Sequence, residues 1–403
     1  MSSRLFQNFP MLLDGATGTN LMRDGMPQGV CVETWILDHP QVLQNLQRDY
    51  ARAGSNAVMA PTFETNRHKL AQYGLEDKVE PLIKDLVALS REAVGDKVLV
   101  AGNLSPTGLF IEPLGELTFD ELTDLYLEQA LALERAGVDY IALETFMSLT
   151  EARSALLAAK QTGLPVTVTL TVDQNGRTLS GGSVPACLFI LASMGADAVG
   201  LNCSTGPDII LRCLKEAAPL LSVPVIAKPN AGLPVEGKTG VYDISPLQFA
   251  QKVPDFLAAG ISILGGCCGT TPEHIGLMRE TIDRLPDPIP ADGTCSAGLP
   301  LAAGERSLFE IGPDILPSAQ TVACEDLAET LGDISGGPIR IPVHNADDAR
   351  EFGMNAPFLS AGPVIFSSGD AQALEAALKL YQGRALIEAG AGIGDRALSE
   401  LAE

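Results

Sequence analysis

The chain contains 403 residues, with 27 basic against 50 acidic side chains and a formal net charge of −23. This negative charge opposes binding to nucleic acid and to anionic membranes, so we expect neither partner. Eight cysteines are too sparse for a disulfide framework, and the start of the chain lacks a secretory signal pattern. Since no apolar run reaches the roughly 20 residues that span a bilayer, the sequence predicts a cytoplasmic protein.

Short β-rich runs alternate with longer helical patterns through the first 285 residues, which predicts parallel strands joined by crossover helices. Several of the strand candidates are continuous apolar runs, as expected for strands buried on both faces. The eight candidates are residues 11–15, 56–63, 97–104, 140–146, 165–172, 198–203, 224–230 and 261–265. Eight such units predict an α/β fold, a (β/α)8 TIM barrel over residues 1–288. An open doubly wound sheet is the alternative.

The composition changes after residue 285. Residues 289–335 are rich in Pro, Gly and Ala, which predicts a linker. Residues 336–403 indicate a small C-terminal α/β extension, with strands at 338–343 and 363–367, a helix at 371–381 and a further strand candidate at 385–388. About two strand–helix units cannot close a barrel, so we expect the extension to pack on the first domain or on another subunit.

The adjacent cysteines Cys267 and Cys268 follow two glycines at the end of the eighth strand candidate, in the sequence ILGGCCGTT. Neighbouring thiols converge on one point only where the strand has ended, and a disulfide between neighbours is strained. Shared ligation of a soft metal is therefore the easier explanation. Cys203 ends the sixth candidate in GLNCSTGP and can meet the pair across the barrel mouth, although taken alone it resembles an ordinary buried cysteine. Three thiolates favour zinc with an open fourth position.

A zinc ion with three thiolate ligands activates water poorly but binds a soft incoming thiol well, so the substrate should be a thiol that attacks an activated methyl group. The other cysteines are predicted to be structural, and we assign no histidine to a metal because none clusters at the strand ends. These residues are Cys31, Cys187, Cys213, Cys295, Cys324, His39, His68, His274 and His344.

Other strand-end residues predict contacts with a small ligand. The glycine-rich turn DGATGT can receive a substrate carboxylate on its backbone N–H groups, or it is simply a tight turn. Its predicted binding residues are Asp14, Gly15, Ala16 and Thr17. Glu144 is predicted to pair with a substrate ammonium or to be a structural carboxylate, and Asn230 to supply a weak oxygen ligand or a polar contact. Lys228 is a candidate Schiff-base lysine, although a barrel lysine is more often paired with a carboxylate.

Six motifs together resemble the homocysteine S-methyltransferase family, most closely the homocysteine-binding barrel of cobalamin-dependent methionine synthases: DGATGTNL, NLSPTG, ALETF, GLNCSTGP, KPNAGLP and GGCCGTTPEHI. The resemblance covers residues 10–285. It implies an enzyme that holds Zn²⁺ through Cys203, Cys267 and Cys268 and binds the homocysteine sulfur as fourth ligand, giving methionine. It also implies that Glu144, Asp14 and the DGATGT turn hold the amino and carboxylate groups, and that Asn230 fills the fourth metal position when substrate is absent.

The methyl donor stays open between several classes. The cobalamin-dependent enzymes continue into folate-binding, cobalamin-binding and reactivation modules, none of which is complete in this chain. Residues 363–390 faintly resemble a piece of the folate-binding barrel, but Glu388 stands where an asparagine is usual, and we do not predict folate binding. We expect methylcobalamin on a separate corrinoid protein. The alternatives are betaine, S-methylmethionine, another acceptor thiol, or a non-catalytic zinc- or thiol-binding component of a corrinoid complex.

Overall fold

The computed structural model describes residues 9–204, 206–238, 240–285, 301–330, 337–359 and 362–402. Its largest sheet contains eight parallel strands in the order β1-β8-β7-β6-β5-β4-β3-β2. These strands are β1 (Met11–Leu12), β2 (Ala57–Met59), β3 (Leu99–Leu104), β4 (Tyr140–Phe146), β5 (Val166–Leu170), β6 (Ala198–Cys203), β7 (Val225–Pro229) and β8 (Ile263–Leu264). A parallel bridge between Leu13 and Ala57 joins the two ends of this order. The sheet therefore closes into a barrel, and the predicted (β/α)8 fold is confirmed.

Helices connect successive strands, and local capping explains why their limits agree with the sequence pattern. The longest helix begins after Thr118, which forms a reciprocal capping box with Glu121 of the first turn, and it ends at Gly137 in the left-handed conformation. The helices of the barrel are α1 (Gly18–Arg23), α2 (Val32–Asp38), α3 (Pro40–Arg52), α4 (Arg67–Ala71), α5 (Val79–Val94), α6 (Phe119–Ala136), α7 (Leu149–Lys160), α8 (Val184–Ser193), α9 (Pro207–Ala217), α10 (Pro246–Ala250), α11 (Val253–Ala258) and α12 (Pro272–Asp283). Among the described residues, none of the helices combines the length and apolar character that a membrane crossing requires.

The apolar core of the barrel lies in two layers. A large cluster fills the space between strands and helices, and a smaller one, which includes Met59, Tyr140 and Ile226, fills the inside of the barrel. Alternate residues of each strand supply the two layers, because successive side chains point to opposite faces. The barrel interior is thus packed, and space for chemistry is left at the carboxyl ends of the strands.

The C-terminal residues form more structure than the sequence predicted. Residues 289–335 were expected to be a linker, but the described part of this segment contains strands β9 (Leu301–Gly304), β10 (Ser307–Glu310) and β11 (Gln320–Thr321) and helix α13 (Leu327–Thr330). The first two pair as an antiparallel hairpin. The Pro- and Gly-rich composition concealed this hairpin, whose residues Ala302 and Ala303 are fully buried. Residues 286–300, including Cys295, lie outside the described part of the chain.

A second parallel sheet follows in the order β11-β12-β13-β15. Its later elements are β12 (Ile339–Pro342), α14 (Ala346–Asn355), β13 (Val364–Ser368), α15 (Ala371–Leu380), β15 (Leu386–Ala389) and α16 (Asp395–Ala402), while β14 (Gly383–Arg384) pairs with the hairpin. The sheet therefore has four parallel strands where about two strand–helix units were expected. Its separate core includes the contacting rings of Phe352, Phe366 and Tyr381.

The two units are joined through a buried guanidinium. Arg153 of α7 donates hydrogen bonds to the carbonyl oxygens of Leu378 and Lys379, at 2.9 and 3.2 Å, and lies over the ring of Phe119. These carbonyls belong to the last turn of α15, where helix carbonyls lack intrahelical partners and a cation is favourable. Burial lowers the pKa of Arg153 to about 10. The C-terminal unit therefore packs on the first domain.

Replacement of Arg153 by alanine should loosen this contact. Two helix-end carbonyls would lose charged donors, and hydrogen bonds to charged groups contribute about 1.5–3 kcal/mol. We expect amide hydrogen exchange in residues 371–380 to accelerate by roughly 10-fold or more. Arg135→Ala is the control, because Arg135 forms an exposed ion pair with Glu80. Unchanged exchange in the Arg153 variant would show that other contacts hold the units together.

Candidate active site and metal centre

Three thiols converge at the mouth of the barrel. The sulfur atoms of Cys203, Cys267 and Cys268 all lie within 4.8 Å of one another, and they form the group of three potential ligands found among the described residues. Cys203 ends β6, and the other two follow β8. Three ligands at tetrahedral angles and about 2.3 Å from a zinc ion have sulfur atoms roughly 3.8 Å apart, so the donor set and its spacing fit zinc. The structure thus brings together the three ligands that the sequence predicted.

The backbone at the site is strained. Three residues other than glycine have positive φ angles in the described chain: Thr145 at 68°, Cys203 at 57° and Ser204 at 60°. Such conformations are unfavourable for residues with a Cβ atom and cluster at functional sites. The turn in β6 allows the Cys203 side chain to reach the other two thiols instead of following the alternation of the strand.

Asn202 connects the thiols to β4. Its Nδ2 atom donates to Thr145 Oγ1 at 2.8 Å and, more weakly, to Cys267 Sγ at 3.8 Å. Its Oδ1 atom accepts hydrogen bonds from the Thr145 N–H and from Thr169 Oγ1, at 2.7 and 2.9 Å. This buried amide therefore holds Thr145 in its unusual conformation and places a donor against a predicted metal ligand.

Burial and mutual hydrogen bonds keep the thiols protonated. The hydrogen bond with Cys203, followed by burial, raises the pKa of Cys267 to about 12. For Cys268, the bond with Cys203 lowers the pKa, but the bond with Cys267 and burial outweigh it and raise the pKa to about 12. For Cys203, the bond with Cys267 lowers the pKa, whereas the bond with Cys268 and burial raise it to about 11. Ionisation of all three adjacent thiols near neutral pH therefore requires a cation that binds their sulfur atoms.

Zinc affinity is accordingly expected to rise steeply with pH. All three thiols are protonated near neutral pH without metal, so binding should release about three protons per zinc ion. The logarithm of the apparent affinity should then rise by about two to three for each pH unit between roughly pH 6 and pH 8. Competition against a chromophoric chelator at several pH values measures this slope. A slope of about one would show that fewer thiols bind the metal.

A second cluster, of buried charges, lies at the ends of β1, β4 and β7. Lys228 Nζ is 2.6 Å from Glu144 Oε1 and 3.7 Å from Asp14 Oδ1, and all three side chains are almost completely buried. Asn103 donates to Glu144 Oε2 at 2.9 Å, and the N–H of Met59 donates to Asp14 Oδ2 at 2.8 Å. Glu144 is therefore already paired with Lys228. This ion pair was not part of the prediction that Glu144 binds a substrate ammonium.

The charges of this cluster do not cancel. Burial alone would lower the pKa of Lys228, but the carboxylates of Glu144 and Asp14 more than offset it and raise that pKa above its usual value. The lysine is thus a cation, which disfavours the Schiff-base role. Burial raises the pKa of Asp14 to about 6, against the opposing effect of Lys228. With both carboxylates ionised, one negative charge remains, which suits a substrate ammonium.

The turn at residues 14–17 is fixed against the segment that carries the cysteine pair. The N–H of Ala16 donates to Thr270 Oγ1 at 3.1 Å. A Cβ atom at Gly15 would lie 2.6 Å from the same hydroxyl, so this close approach requires glycine. The Ala16 N–H therefore already has an acceptor within the protein. Binding of a substrate carboxylate by this turn stays a prediction for the N–H groups of Gly15 and Thr17.

Asn230 is buried at the end of β7. Its Nδ2 atom donates to the carbonyl oxygen of Ser204 at 3.4 Å, while its Oδ1 atom has no hydrogen-bond donor among the described residues. The neighbouring Ala231 N–H donates to the Cys268 carbonyl oxygen at 2.9 Å. An unpaired buried amide oxygen next to the thiol-bearing segments is available as the weak oxygen ligand predicted from the sequence.

The remaining cysteines and His274 lie in structural surroundings. Cys31, Cys187, Cys213 and Cys324 are free and buried. His274 belongs to the first turn of α12, where Nδ1 accepts the Thr271 N–H at 3.1 Å and completes the cap of that helix. The His274 ring therefore stabilises the start of α12.

Sequence reasoning missed several functional contacts. A carboxylate partner for Lys228 was anticipated, but its identity was not, because Glu144 lies 84 positions away and no local pattern joins the two residues. The contact of Asn202 with Cys267 could have been anticipated, since Asn202 precedes Cys203 within a motif already singled out. Tyr242 lies in a loop after β7, and no sequence signal placed it near the thiols.

The sequence of this chain is similar to a known protein family and to individual proteins. Residues 11–282 match a family model described as Homocysteine S-methyltransferase. The methionine synthase of Mycobacterium tuberculosis (strain ATCC 25618 / H37Rv) is 29% identical over 420 residues, covering 94% of this chain and 35% of that protein. The methionine synthase of Mycobacterium leprae (strain TN) is 33% identical over 297 residues, covering 69% of this chain and 24% of that protein. The chain thus spans about a third of the length of these relatives or less.

Solved structures agree with the fold. The metallated form of the homocysteine methyltransferase MmuM from Escherichia coli superposes with a TM-score of 0.58 at 24% sequence identity, covering 68% of this chain and 97% of that one. Its apo form gives a TM-score of 0.54. At this identity the likeness shows the barrel fold alone. The family match confirms the resemblance of the motifs and the predicted enzyme class, a methyltransferase. The chain belongs to the homocysteine S-methyltransferase family.

Proposed function

We propose that this chain transfers a methyl group to the sulfur of homocysteine, giving methionine, with Zn²⁺ held by Cys203, Cys267 and Cys268. The observation that carries the proposal is the convergence of three thiols within 4.8 Å at the strand ends. A zinc ion bound there supplies a Lewis acid that lowers the pKa of an incoming thiol while leaving its sulfur nucleophilic. Asn230 Oδ1, which has no hydrogen-bond donor among the described residues, would supply an oxygen as the fourth ligand in the absence of substrate.

The charge cluster orients the substrate. The ammonium group binds near Asp14 and Glu144, whose two negative charges exceed the single positive charge of Lys228. Lys228 and Asn103 hold the Glu144 carboxylate in place for this contact. In the reaction, a bond forms between the homocysteine sulfur and the methyl carbon while the bond from that carbon to the donor breaks. The bonding pair leaves with the donor, and the thiol proton goes to solvent. Alignment of the reactants supplies much of the rate.

The surface around the mouth supports a donor carried on a protein. Six large apolar side chains in the loops after the barrel strands expose between 38% and 68% of their area: Phe110, Leu114, Met147, Leu179, Leu233 and Val241. Apolar side chains concentrated at one end of a domain are typical of protein contacts. We therefore propose methylcobalamin on a separate corrinoid protein as the donor.

Other donors and acceptors remain as second candidates. A betaine site would require an aromatic enclosure for its quaternary ammonium. The single tryptophan, Trp35, stacks instead on His39 with ring centroids 4.4 Å apart. S-methylmethionine, a different thiol acceptor and a non-catalytic role in a corrinoid complex are distinguished by experiment.

The test is the zinc content of the purified chain and methionine formation from homocysteine. Methylcobalamin, betaine and S-methylmethionine are supplied in parallel. One zinc ion per chain with turnover on methylcobalamin supports the proposal. A Leu179→Asp, Leu233→Asp double variant should lose turnover with a protein-bound methylcorrinoid but keep it with free methylcobalamin. Zinc without turnover on any donor would contradict the catalytic proposal and favour the binding role.

A further inference from the structure

The loop after β7 covers one side of the thiol cluster. Its described residues 231–238 and 240–245 fold back on themselves, with hydrogen bonds from the Val235 N–H to the Val241 carbonyl and from the Asp243 N–H to the Leu233 carbonyl. The Ala231 N–H ties the start of the loop to the carbonyl oxygen of Cys268. This arrangement holds Tyr242 over the segment that carries the cysteine pair.

Tyr242 contacts that segment at a position where only glycine fits. A Cβ atom at Gly269 would lie 2.3 Å from the Cγ and Cδ2 atoms of the tyrosine ring. Gly269 also has a φ of 81°, which disfavours any side chain. The ring therefore packs directly on the backbone beside Cys268, and this contact brings the Tyr242 hydroxyl near the thiol cluster.

We propose that Tyr242 is a positioning residue for the metal ligands: its hydroxyl donates a hydrogen bond to the Cys268 sulfur, and its ring holds the Cys267–Cys268 turn in place. The inference rests on the proposed function, because it concerns the same zinc site. Donors that contact a ligand from outside the metal's own shell orient that ligand and tune the metal.

The other two sulfur atoms receive donors from the end of β6. Asn202 Nδ2 lies 3.8 Å from the Cys267 sulfur, and the backbone N–H of Ser204 supports the Cys203 sulfur. Tyr242 completes this set at Cys268. A hydrogen bond disperses part of the negative charge of a thiolate, so a ligand held this way stays on the metal and is a weaker nucleophile than the substrate sulfur.

The test uses Tyr242→Phe, which keeps the ring and removes only the hydroxyl. We expect zinc affinity, measured by chelator competition, to fall by roughly 10- to 100-fold, the range found when supporting partners of metal ligands are removed. With Co²⁺ in place of zinc, the sulfur-to-metal charge-transfer band should shift to lower energy, since an unsupported thiolate is more electron-rich. Tyr73→Phe is the matched control, because Tyr73 is exposed.

Gly269→Ala provides a second route to the same result, since its methyl group would displace the tyrosine ring. Wild-type zinc affinity and an unshifted Co²⁺ band in Tyr242→Phe, in a protein whose wild type binds zinc and homocysteine, would overturn this inference alone. A wild type that binds no zinc would overturn the proposed function together with it. The two failures are therefore distinguishable.

Discussion

Cys268→Ala is expected to abolish zinc retention and, with it, methionine formation. Two thiolates hold zinc far less well than three, because each ligand removed leaves the tetrahedral site less complete. The affinity should fall by more than about 100-fold, the upper value for losing a group that merely supports a ligand. Metal analysis after gel filtration measures the bound zinc per chain.

The matched control for this variant is Cys213→Ala. Cys213 is also free and buried, but it lies in α9 and does not belong to the group of three thiols. It should retain one zinc ion per chain. If the Cys268 variant also retained stoichiometric zinc after dialysis against a chelator, the assignment of this ligand would be wrong.

Lys228→Met should destabilise the barrel strongly. Methionine fills a similar volume but leaves the carboxyl groups of Asp14 and Glu144 buried without their cation. Removing one partner of a buried ion pair costs about 3–5 kcal/mol. Urea unfolding of the variant and the wild type measures this difference. A second control, Lys252→Met, removes an exposed pair with Asp208 and should change the unfolding free energy by less than about 1 kcal/mol.

The loss caused by Lys228→Met should also depend on pH. Without the lysine, the pKa of Asp14 in the folded state, which burial already raises, rises further above its unfolded value, because Lys228 no longer opposes the effect of burial. A raised carboxyl pKa contributes stability that is present below the unfolded pKa and is lost as the pH rises through the folded pKa. The deficit should therefore be larger at about pH 8 than at about pH 5. A deficit that grows in acid would contradict this account.

Features coded within a single strand–helix unit were predictable from the sequence. Glycines, capping residues and apolar runs specify each unit locally, as at Thr118 and Gly137, so the barrel followed from counting units. The convergence of the three thiols was predictable for the same reason. Cys203 and the Cys267–Cys268 pair each stand at the end of a strand, and a parallel barrel gathers such positions at one mouth.

Features that depend on contacts between distant units were not predictable. Lys228 and Glu144 were each identified as candidates, yet their ion pair depends on how side chains from β4 and β7 meet inside the barrel. Tyr242 depends on the path of a loop. The β9–β10 hairpin was concealed because burial of small residues such as Ala303 follows from packing, whereas the composition of the segment is typical of linkers.

The positive φ angles at Thr145, Cys203 and Ser204 have a consequence for metal uptake at the proposed zinc site. Each such conformation costs on the order of 1–3 kcal/mol, and the surrounding fold compensates for it while the protein folds. The ligands are consequently preorganised: little conformational entropy is left to lose when zinc arrives. Metal uptake should then be a local, rapid exchange of protons for an ion within a folded barrel, in contrast to small zinc domains in which the metal drives folding.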